Sequence, residues 1–443
     1  MNGMPEYFEK QLRELVGSRY GEFERAWLDK PRHKALRVNT LKISVEDFLE
    51  FKPELKPNGL CPQSFYFFDK PSLNPLYHAG LYYMQEPSAS AAVFALSPFI
   101  GERVLDLCAA PGGKSTQVAA FMRGGAIFCN DVDYKRIGAL KENIERLGVK
   151  NAVVTHSNAK EYRKAGFDGY FDTLVVDAPC SGGGMMRYET VPYSEEIVKG
   201  CAARQRAILD DAVMLLCRGG YMLYSTCTFS REENEDNVKY ILDKGFELVD
   251  IPLPDGAERG IDGIGRRIYP HNFDGEGHFY CVLKKTSGDE MIELPCEKNK
   301  REEISVGGAS VEAEKRGDDF VIKDFELPRI KIPPAGRGTY GENISFRYNR
   351  VGVPVYCESG IAGTREFSHA LSHALDGEIL SELSVELGDR APEYIRGEQI
   401  PIEAPHGQRI ATVNGYALGW VKSARSGDGT SVLKNLYPKA LRN

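Results

Sequence analysis

Two cysteines stand where apolar runs end in polar company. The first follows Val175-Val176-Asp177-Ala178-Pro179 as Cys180-Ser181-Gly182, and the second sits in Tyr224-Ser225-Thr226-Cys227-Thr228. A thiol in such a place is a candidate nucleophile once it loses its proton. Asp177 lies three residues before Cys180 and supplies a carboxylate on the same rim. Most free cysteines are small buried hydrophobes, and Cys108, Cys129, Cys201, Cys217 and Cys281 are expected to fit that description. No metal is expected, because neither thiol has a short Cys-x-x-Cys partner or a His at ligand spacing. His369 and His373 are four apart but lack the Glu of a zinc-protease helix, so they are expected on a helix surface.

A second constellation lies upstream. Val104–Thr116 reads VLDLCAAPGGKST, a strand, a turn through Cys108, Ala109, Ala110, Pro111, Gly112, Gly113 and Lys114, and a helix beginning near Ser115. Glycine lets a ligand approach the backbone, and free N–H groups at a helix start favour polar or anionic groups. A Walker loop fails because its first glycine is replaced by Cys108, and the dinucleotide Gly-x-Gly-x-x-Gly is absent. The next strand ends in Asn130-Asp131, where a carboxylate can accept from both hydroxyls of a ribose. The combination suggests an adenosine-containing cofactor.

These groups need a scaffold that brings strand ends together. Apolar runs at Arg103–Cys108, Ala126–Asp131, Ala152–Ser157, Thr173–Ala178, Tyr221–Thr226 and His278–Lys285 alternate with helical stretches, which predicts a mainly parallel sheet covered by helices. In such a sheet ligands bind beyond the carboxyl ends of the strands, and adjacent tips lie about 4.8 Å apart. One helix is expected within Asp131–Leu147, with Ile137, Leu140, Ile144 and Leu147 on one face, a Glu142–Arg146 pair and Gly148 as its stop. Another is expected after Ser230, with Glu233 completing a capping box and Val238, Ile241 and Leu242 as its buried stripe. The first 90 residues are helical and mixed, with Phe8, Leu12 and Leu15 on one helix face. Between Thr286 and Gly317 charge and small residues replace apolar periodicity, so 286–317 is expected to be a linker. Beyond it, strand-like pieces such as Gln408–Val413 and Ala417–Val421 predict a small α+β or β-rich unit over 318–443.

The length of 443 residues allows one to three domains, and 42% hydrophobic with 27% charged residues excludes a collagen-like or wholly disordered chain. No apolar run approaches the roughly 20 residues that span a bilayer, and the N-terminus lacks a signal-type apolar core. A cytoplasmic location is expected, with ten cysteines present as thiols. The net charge of −7 does not advertise nucleic-acid binding. It can hide a basic face: Lys422, Arg425, Lys434, Lys439 and Arg442 stand against Asp428 alone, and Arg259, Arg266 and Arg267 form a smaller cluster. Both clusters are expected to be solvated surface charge.

With these residues in view, the chain closely resembles the RNA cytosine-5 methyltransferases of the Nol/Nop/Sun family, in its bacterial RsmF-like branch. The matching pieces are LRVNTLK (Leu36–Lys42), YYMQEPSAS (Tyr82–Ser90), LDLCAAPGGKST, DAPCSGGGMMR (Asp177–Arg187), STCTFSREENE (Ser225–Glu235) and RRIYPHNFDGEGHFYCVLKK (Arg266–Lys285). The C-terminal NGYALGWVK and NLYPKALR look like the PUA-like, RNA-binding tail of that branch. The resemblance implies an N-terminal accessory or RNA-binding segment (1–90), a Rossmann-like α/β domain dependent on S-adenosylmethionine (91–285), the linker, and a PUA-like region (318–443). It implies that Cys108–Lys114 and Asp131 hold the cofactor, that Asp177 lies at the reaction centre, that Cys227 is the nucleophile and that Cys180 assists product release. Asn158 stands where the family often has an acid that meets the adenine, and Gly183 replaces an acid common after the Pro-Cys segment.

Position 5 of cytosine is too weak a nucleophile to take a methyl group unaided, but a thiolate adding at position 6 pushes electron density onto it. Asp177 bonded to ring nitrogen 3 would stabilise the charge arriving there. The base must be unstacked, hence in a loop or an opened helix. The expected partner is RNA, namely ribosomal RNA or a small-subunit particle, with no membrane and no obligate protein partner. The competing readings are a DNA cytosine-5 methyltransferase using Cys180 and a non-catalytic RNA-binding assembly factor.

Overall fold

The apolar runs pair as their alternation predicts. In the computed structural model, β1 (Arg103–Asp106), β2 (Ala126–Asn130), β3 (Ala152–Thr155), β4 (Phe171–Asp177) and β5 (Leu216–Thr226) form a parallel sheet in the spatial order β5-β4-β1-β2-β3. The structure describes residues 4–29, 33–68, 70, 73–187, 192–306, 308–316, 319–323, 325–328, 348–358, 365–425 and 431–441. The order in which strands are added reverses at β1, between β4 and β2, which is the switch point where such sheets take ligands. Beyond β5 the chain adds β6 (Phe246–Leu248), β7 (Ala257–Arg259), β8 (Arg266–Ile268) and β9 (His278–Lys285); β9 runs antiparallel to β5, with Phe279 opposite Thr226. At the other edge, β10 (Tyr348–Val351) pairs antiparallel with β3. The sheet is therefore mixed, with a parallel centre.

Successive strand residues enter opposite layers. Leu105, Phe128, Val153, Val176 and Tyr224 join one buried cluster, while Val104, Ile127, Val154, Val175 and Leu223 join the other. Continuous apolar runs are what a sheet covered on both faces requires. The covering helices are α1 (Gly113–Phe121), α2 (Tyr134–Arg146), α3 (Ala159–Lys164), α4 (Glu195–Leu215) and α5 (Glu235–Leu242). Asp133 caps α2, Ile137, Leu140 and Ile144 are its buried face, and Gly148 with φ +70° follows its end. Arg146 does not pair with Glu142 on the surface. It turns inward and donates to the carbonyls of Tyr77 (2.8 Å) and Tyr82 (3.1 Å). The helix expected after Ser230 begins only at Glu235; Val238 and Ile241 of its apolar stripe are fully buried and Leu242 is half-buried.

Helices Glu6–Val16 and Tyr20–Asp29 press Phe8, Leu12, Phe23 and Trp27 against Tyr193, Phe229 and Tyr269, so the N-terminal segment roofs the Cys227 region. It continues into a four-stranded antiparallel sheet with Ala35–Val38 between Ser64–Tyr66 and Tyr82–Gln85.

The stretch 286–317 is not a structureless linker. Arg301–Val306 and Ala309–Arg316 pair as an antiparallel hairpin, in which Val306, Val311 and Ala313 point inward while Glu303, Glu312 and Lys315 face solvent. Small and charged residues hid that period of two. The last unit is a four-stranded sheet of Ser384–Glu386, Gln408–Val413, Tyr416–Arg425 and Ser431–Asn435. Its Ile400, Leu418 and Val421 share a core with Leu36, Val38 and Tyr82 of the N-terminal sheet.

Two surface expectations are corrected here. His369 and His373 do not face solvent: their Nε2 atoms lie 3.1 Å apart and His373 Nδ1 meets Lys42 Nζ at 3.2 Å, in a junction joining the N-terminal and C-terminal parts. Burial, with Lys42 next in effect, depresses both rings, His369 to about 3. Arg266 and Arg267 are buried as well, whereas Lys422, Arg425, Lys434 and Lys439 are exposed as expected. Asp428 and Arg442 lie outside the described residues.

Candidate active site

The turn after β1 is built so that its backbone can face a ligand. The Ala110–Pro111 bond is cis, and Gly112 adopts φ +110° immediately before α1. A Cβ at Gly112 would press on Leu140 Cδ1 at 3.3 Å in a conformation that side chains rarely adopt. Asn130 at the end of β2 donates to the carbonyls of Leu107 and Ser157, and Ala109 N donates back to Asn130 O at 2.7 Å, which knits three strand ends together. The next residue, Asp131, is almost fully buried. It accepts from Ala110 N at 3.1 Å and Asp133 N at 2.9 Å and pairs with Arg136 at 3.1 Å. Asn158 is exposed and caps α3, accepting from Glu161 N while Glu161 accepts from Asn158 N. Cys108 is half-buried rather than buried.

From α1, Lys114 reaches across the switch point to Asp177 at the end of β4, Nζ to Oδ2 2.7 Å. Ser225 at the end of β5 donates to Asp177 Oδ1 at 2.7 Å, and His278 Nε2 lies 4.0 Å from the same oxygen. Burial would raise the Asp177 carboxyl, but the Lys114 ammonium, His278 and the hydrogen bonds from Lys114 and Ser225 hold it below its ordinary value. A third of the side chain stays accessible. Burial and Lys114 push His278 down to about 3, so its ring is neutral at ordinary pH, and its Nε2 is buried without a hydrogen bond. Asp106 is fully buried, and desolvation raises its carboxyl to about 7 against the hydrogen bond from Ser115 (2.6 Å).

β4 and β5 pair directly, Asp177 opposite Ser225, so the two thiols just beyond them meet. Cys180 Sγ and Cys227 Sγ are 3.1 Å apart, both half-buried and both free. The contact with Cys227, desolvation and the charge of Glu233 push the Cys180 thiol well above its usual range. Gly184 N donates to Cys227 O at 2.9 Å. A Cβ at Gly183 would lie 2.8 Å from Thr228 Oγ1 and 3.2 Å from the Phe8 ring, so a side chain there requires Thr228 to shift.

Three consecutive buried residues at the start of α5, Glu233 to Glu235, hold this arrangement. Glu233 accepts from Ser181 N (2.9 Å) and Ser181 Oγ (2.5 Å), next to Cys180. Asn234 accepts from Thr226 Oγ1 (2.6 Å) and donates to Thr228 O (3.0 Å), gripping both neighbours of Cys227. Glu235 forms a two-pronged ion pair with Arg267, which also donates to Phe229 O at 2.8 Å. The predicted Ser230–Glu233 cap is half formed, Glu233 N donating to Ser230 Oγ at 3.2 Å, but the carboxylate turns to the Cys180 loop. Sequence reasoning passed over Arg37, a buried side chain inside LRVNTLK that donates to Gly113 O at 2.7 Å and Thr116 Oγ1 at 2.8 Å and so fixes the first turn of α1.

Asp177, Cys180, Cys227 and Lys114 are thus brought together, Asp131 borders the same turn, and Asn158 is occupied as a cap. The donor set suits S-adenosylmethionine: carboxylates at Asp131 and Asp177 for hydroxyls and positive charge, around a turn free of bulky side chains. Among the described residues no cluster of three His, Cys, Asp or Glu could hold a metal.

Comparison with known proteins agrees with this geometry. Residues 93–284 match the family model of the 16S rRNA methyltransferase RsmB/F, residues 4–87 the N-terminal domain of 16S rRNA methyltransferase RsmF, and residues 383–443 the methyltransferase RsmF PUA domain. Ribosomal RNA small subunit methyltransferase F of Klebsiella pneumoniae (strain 342) is 33% identical over 99% of this chain and 96% of its own. The protein of the same name from Escherichia coli O17:K52:H18 is 32% identical over the same shares. A solved methyltransferase homologue from Pyrococcus horikoshii has a TM-score of 0.57 at 31% identity, covering 64% of this chain and 96% of that one. NSun6 from Pyrococcus horikoshii, solved with SFG, has the same TM-score at 24% identity, covering 64% and 99%. The chain belongs to the RsmF family of 16S rRNA methyltransferases.

Proposed function

We propose that this chain uses S-adenosylmethionine to methylate position 5 of a cytosine in small-subunit ribosomal RNA, through a transient bond from Cys227 to the base. One observation carries the reading. Two free thiols in contact and an ionised aspartate stand at adjacent strand ends, joined by Lys114 to the turn that would receive the cofactor. The substrate class comes from the relatives, which are named as small-subunit ribosomal RNA methyltransferases. The cofactor class comes from the family and from a neighbour solved with SFG, an analogue of S-adenosylmethionine.

When bound, S-adenosylmethionine supplies an electrophilic methyl group. Cys108–Lys114 and Asp131 would hold it on the backbone of the turn and on a carboxylate. Asn158, already engaged as a helix cap, keeps its amide face for at most a marginal contact. Cys227 loses its proton and its sulfur bonds to C6 of the cytosine, which turns C5 into a nucleophile that can accept the methyl group. N3 takes up a proton as the sulfur adds, so the adduct is neutral; Asp177, kept ionised by Lys114, accepts from N3–H and the exocyclic amine and stabilises the positive charge that reaches them when C5 takes the methyl group. Once Cys227 is bonded to the base, Cys180 gives its thiol proton to solvent and as thiolate takes the proton from C5; the C5–C6 double bond re-forms, and Cys227 leaves with its bonding pair. The Cys180 proton passes to solvent or to Cys227. The exposed lysines and arginine of the last sheet would meet phosphates of the RNA.

Methyl transfer from labelled S-adenosylmethionine to small-subunit RNA, with bisulfite mapping of the product, tests the reaction. A fluorocytosine-containing RNA tests the bond: mass analysis should find it on Cys227. A label on Cys180 would favour the DNA-type mechanism, and absence of any transfer would favour a non-catalytic factor.

A further inference from the structure

We infer that Glu233 is a positioning residue for release of the methylated base, acting by holding Cys180 at its distance from Cys227; the inference rests on the covalent reading above. Glu233 is fully buried, and its two oxygens are saturated. Oε1 receives Ser181 Oγ at 2.5 Å and Ser230 Oγ at 3.0 Å, while Oε2 receives Ser181 N at 2.9 Å and Gln205 Nε2 at 2.9 Å. Burial raises the Glu233 carboxyl, and these hydrogen bonds oppose the rise by favouring the ionised form, which can accept from all four groups at once. No ion pair to Glu233 occurs among the described residues, so its charge is balanced by these four dipoles.

The geometry of those donors is directed at the thiol pair. Ser181 directly follows Cys180, and Thr228 directly follows Cys227. The Ser181 hydroxyl has one proton and gives it to Glu233, so the Thr228 hydroxyl, 2.8 Å away, must donate to Ser181. A single directed chain therefore runs Thr228 to Ser181 to Glu233 across the gap between the strand ends. Gln205, from α4, uses its amide on Pro179 O at 3.0 Å as well as on Glu233, which pins the residue on the other side of Cys180. Its carbonyl is itself held by Asn237 at 2.6 Å and Tyr224 at 3.1 Å. Cys180 is thus clamped from both sides through one carboxylate, whereas Cys227 is clamped by Asn234 and the β5 ladder. Loss of Glu233 should free Cys180 while leaving Cys227 in place. The contact with Cys227 and burial, with the charge of Glu233 added to them, raise the Cys180 thiol, which favours Cys227 as the nucleophile.

The test is a single-turnover reaction of the full chain with small-subunit RNA and S-adenosylmethionine, counting denaturant-resistant RNA–protein adduct and free methylated RNA over time. Glu233→Gln puts an amide N–H against donors while keeping shape. It should form adduct within about threefold of the parent rate yet release it at least about tenfold more slowly. Cys180→Ala should accumulate adduct, and Glu233→Gln added to it should slow release no further, as expected for residues acting as one unit. Ser181→Ala removes one donor and the acceptor of Thr228 without a new buried charge mismatch, and should show the same split with an unchanged melting temperature. Attack and release slowed together, or release unchanged in both Glu233→Gln and Ser181→Ala, overturns the inference while Cys180→Ala still traps adduct. No adduct from Cys180→Ala overturns the covalent reading itself, and the inference falls with it.

Discussion

Lys114 Nζ stands 2.7 Å from Asp177 Oδ2, so an amine from the turn after β1 and a carboxylate from the tip of β4 form one ion pair across the switch point of the sheet. The pair makes the charge of the reaction centre depend on the turn. Binding at one is therefore coupled electrostatically to chemistry at the other.

Lys114→Met is expected to lower the methyl-transfer rate on the order of a hundredfold. The native Asp177 carboxyl is held below its ordinary value, so its ionised form is lost only as pH falls through that lowered value. Without the ammonium the value rises, and the acid limb of the rate profile moves to higher pH. Lys114→Arg should restore much of the original profile. A single-turnover pH profile decides, and an acid limb that does not move removes Lys114 as the source of the Asp177 charge.

The two thiols are expected to separate by phenotype. Cys227→Ala should form no adduct and lose activity by on the order of a thousandfold or more. Cys180→Ala should methylate its base and stay bonded to it. Gel analysis under denaturing conditions with labelled RNA distinguishes the two, and a Cys180→Ala chain that turns over repeatedly rejects the release role.

Gly184 lies where a side chain cannot fit. A Cβ there would sit 2.9 Å from Glu276 O and 3.0 Å from Cys227 O, both backbone atoms that cannot rotate away. Gly184→Ala should cost about 1 to 3 kcal/mol of stability and reduce the rate of adduct formation further by moving Cys227. Urea unfolding measured beside adduct kinetics checks both parts; an alanine variant with native kinetics contradicts the claim that this contact fixes the nucleophile.

Arg267 and Glu235 are both buried and bond through two short contacts. Removing one partner leaves an uncompensated charge, so Glu235→Ala is expected to destabilise by about 3 to 5 kcal/mol. The double change Arg267→Met with Glu235→Leu should recover a large share of that loss. Equal destabilisation in the single and double variants would show that the pair is not what the site loses.

Much of the reaction centre was legible because its residues end strands. Runs of apolar residues mark where β1, β2, β4 and β5 stop; Asp131, Asp177, Cys180 and Cys227 lie at or just past those stops, and Lys114 opens the helix that follows the turn after β1. What escaped is what acts across long chain separations. Arg37 fixes α1 from 76 residues away at Gly113, and Gln205 and Glu233 act on a loop 26 and 52 residues off. Local spacing offered Glu233 a cap on a helix that in fact starts two residues later. Similarly, His369 and His373 have the spacing of a helix face, and only the docking of the N-terminal Lys42 decides that this face is inside. The hairpin over 301–316 was unreadable because its few inward apolar residues, Val306, Val311 and Ala313, are set among serines and charged residues, too sparse to show a period of two.

β10 comes from the far C-terminal part of the chain, yet it supplies the last rung beside β3, hydrogen-bonding along Val153–Thr155. A chain cut before residue 348 would keep every residue proposed to act in the reaction but bare a greasy ribbon with unsatisfied amides along its flank. Such a flank recruits strands from other molecules. The tail therefore guards against clumping as well as contributing its own surface, and attempts to isolate the catalytic half should plan for a replacement rung.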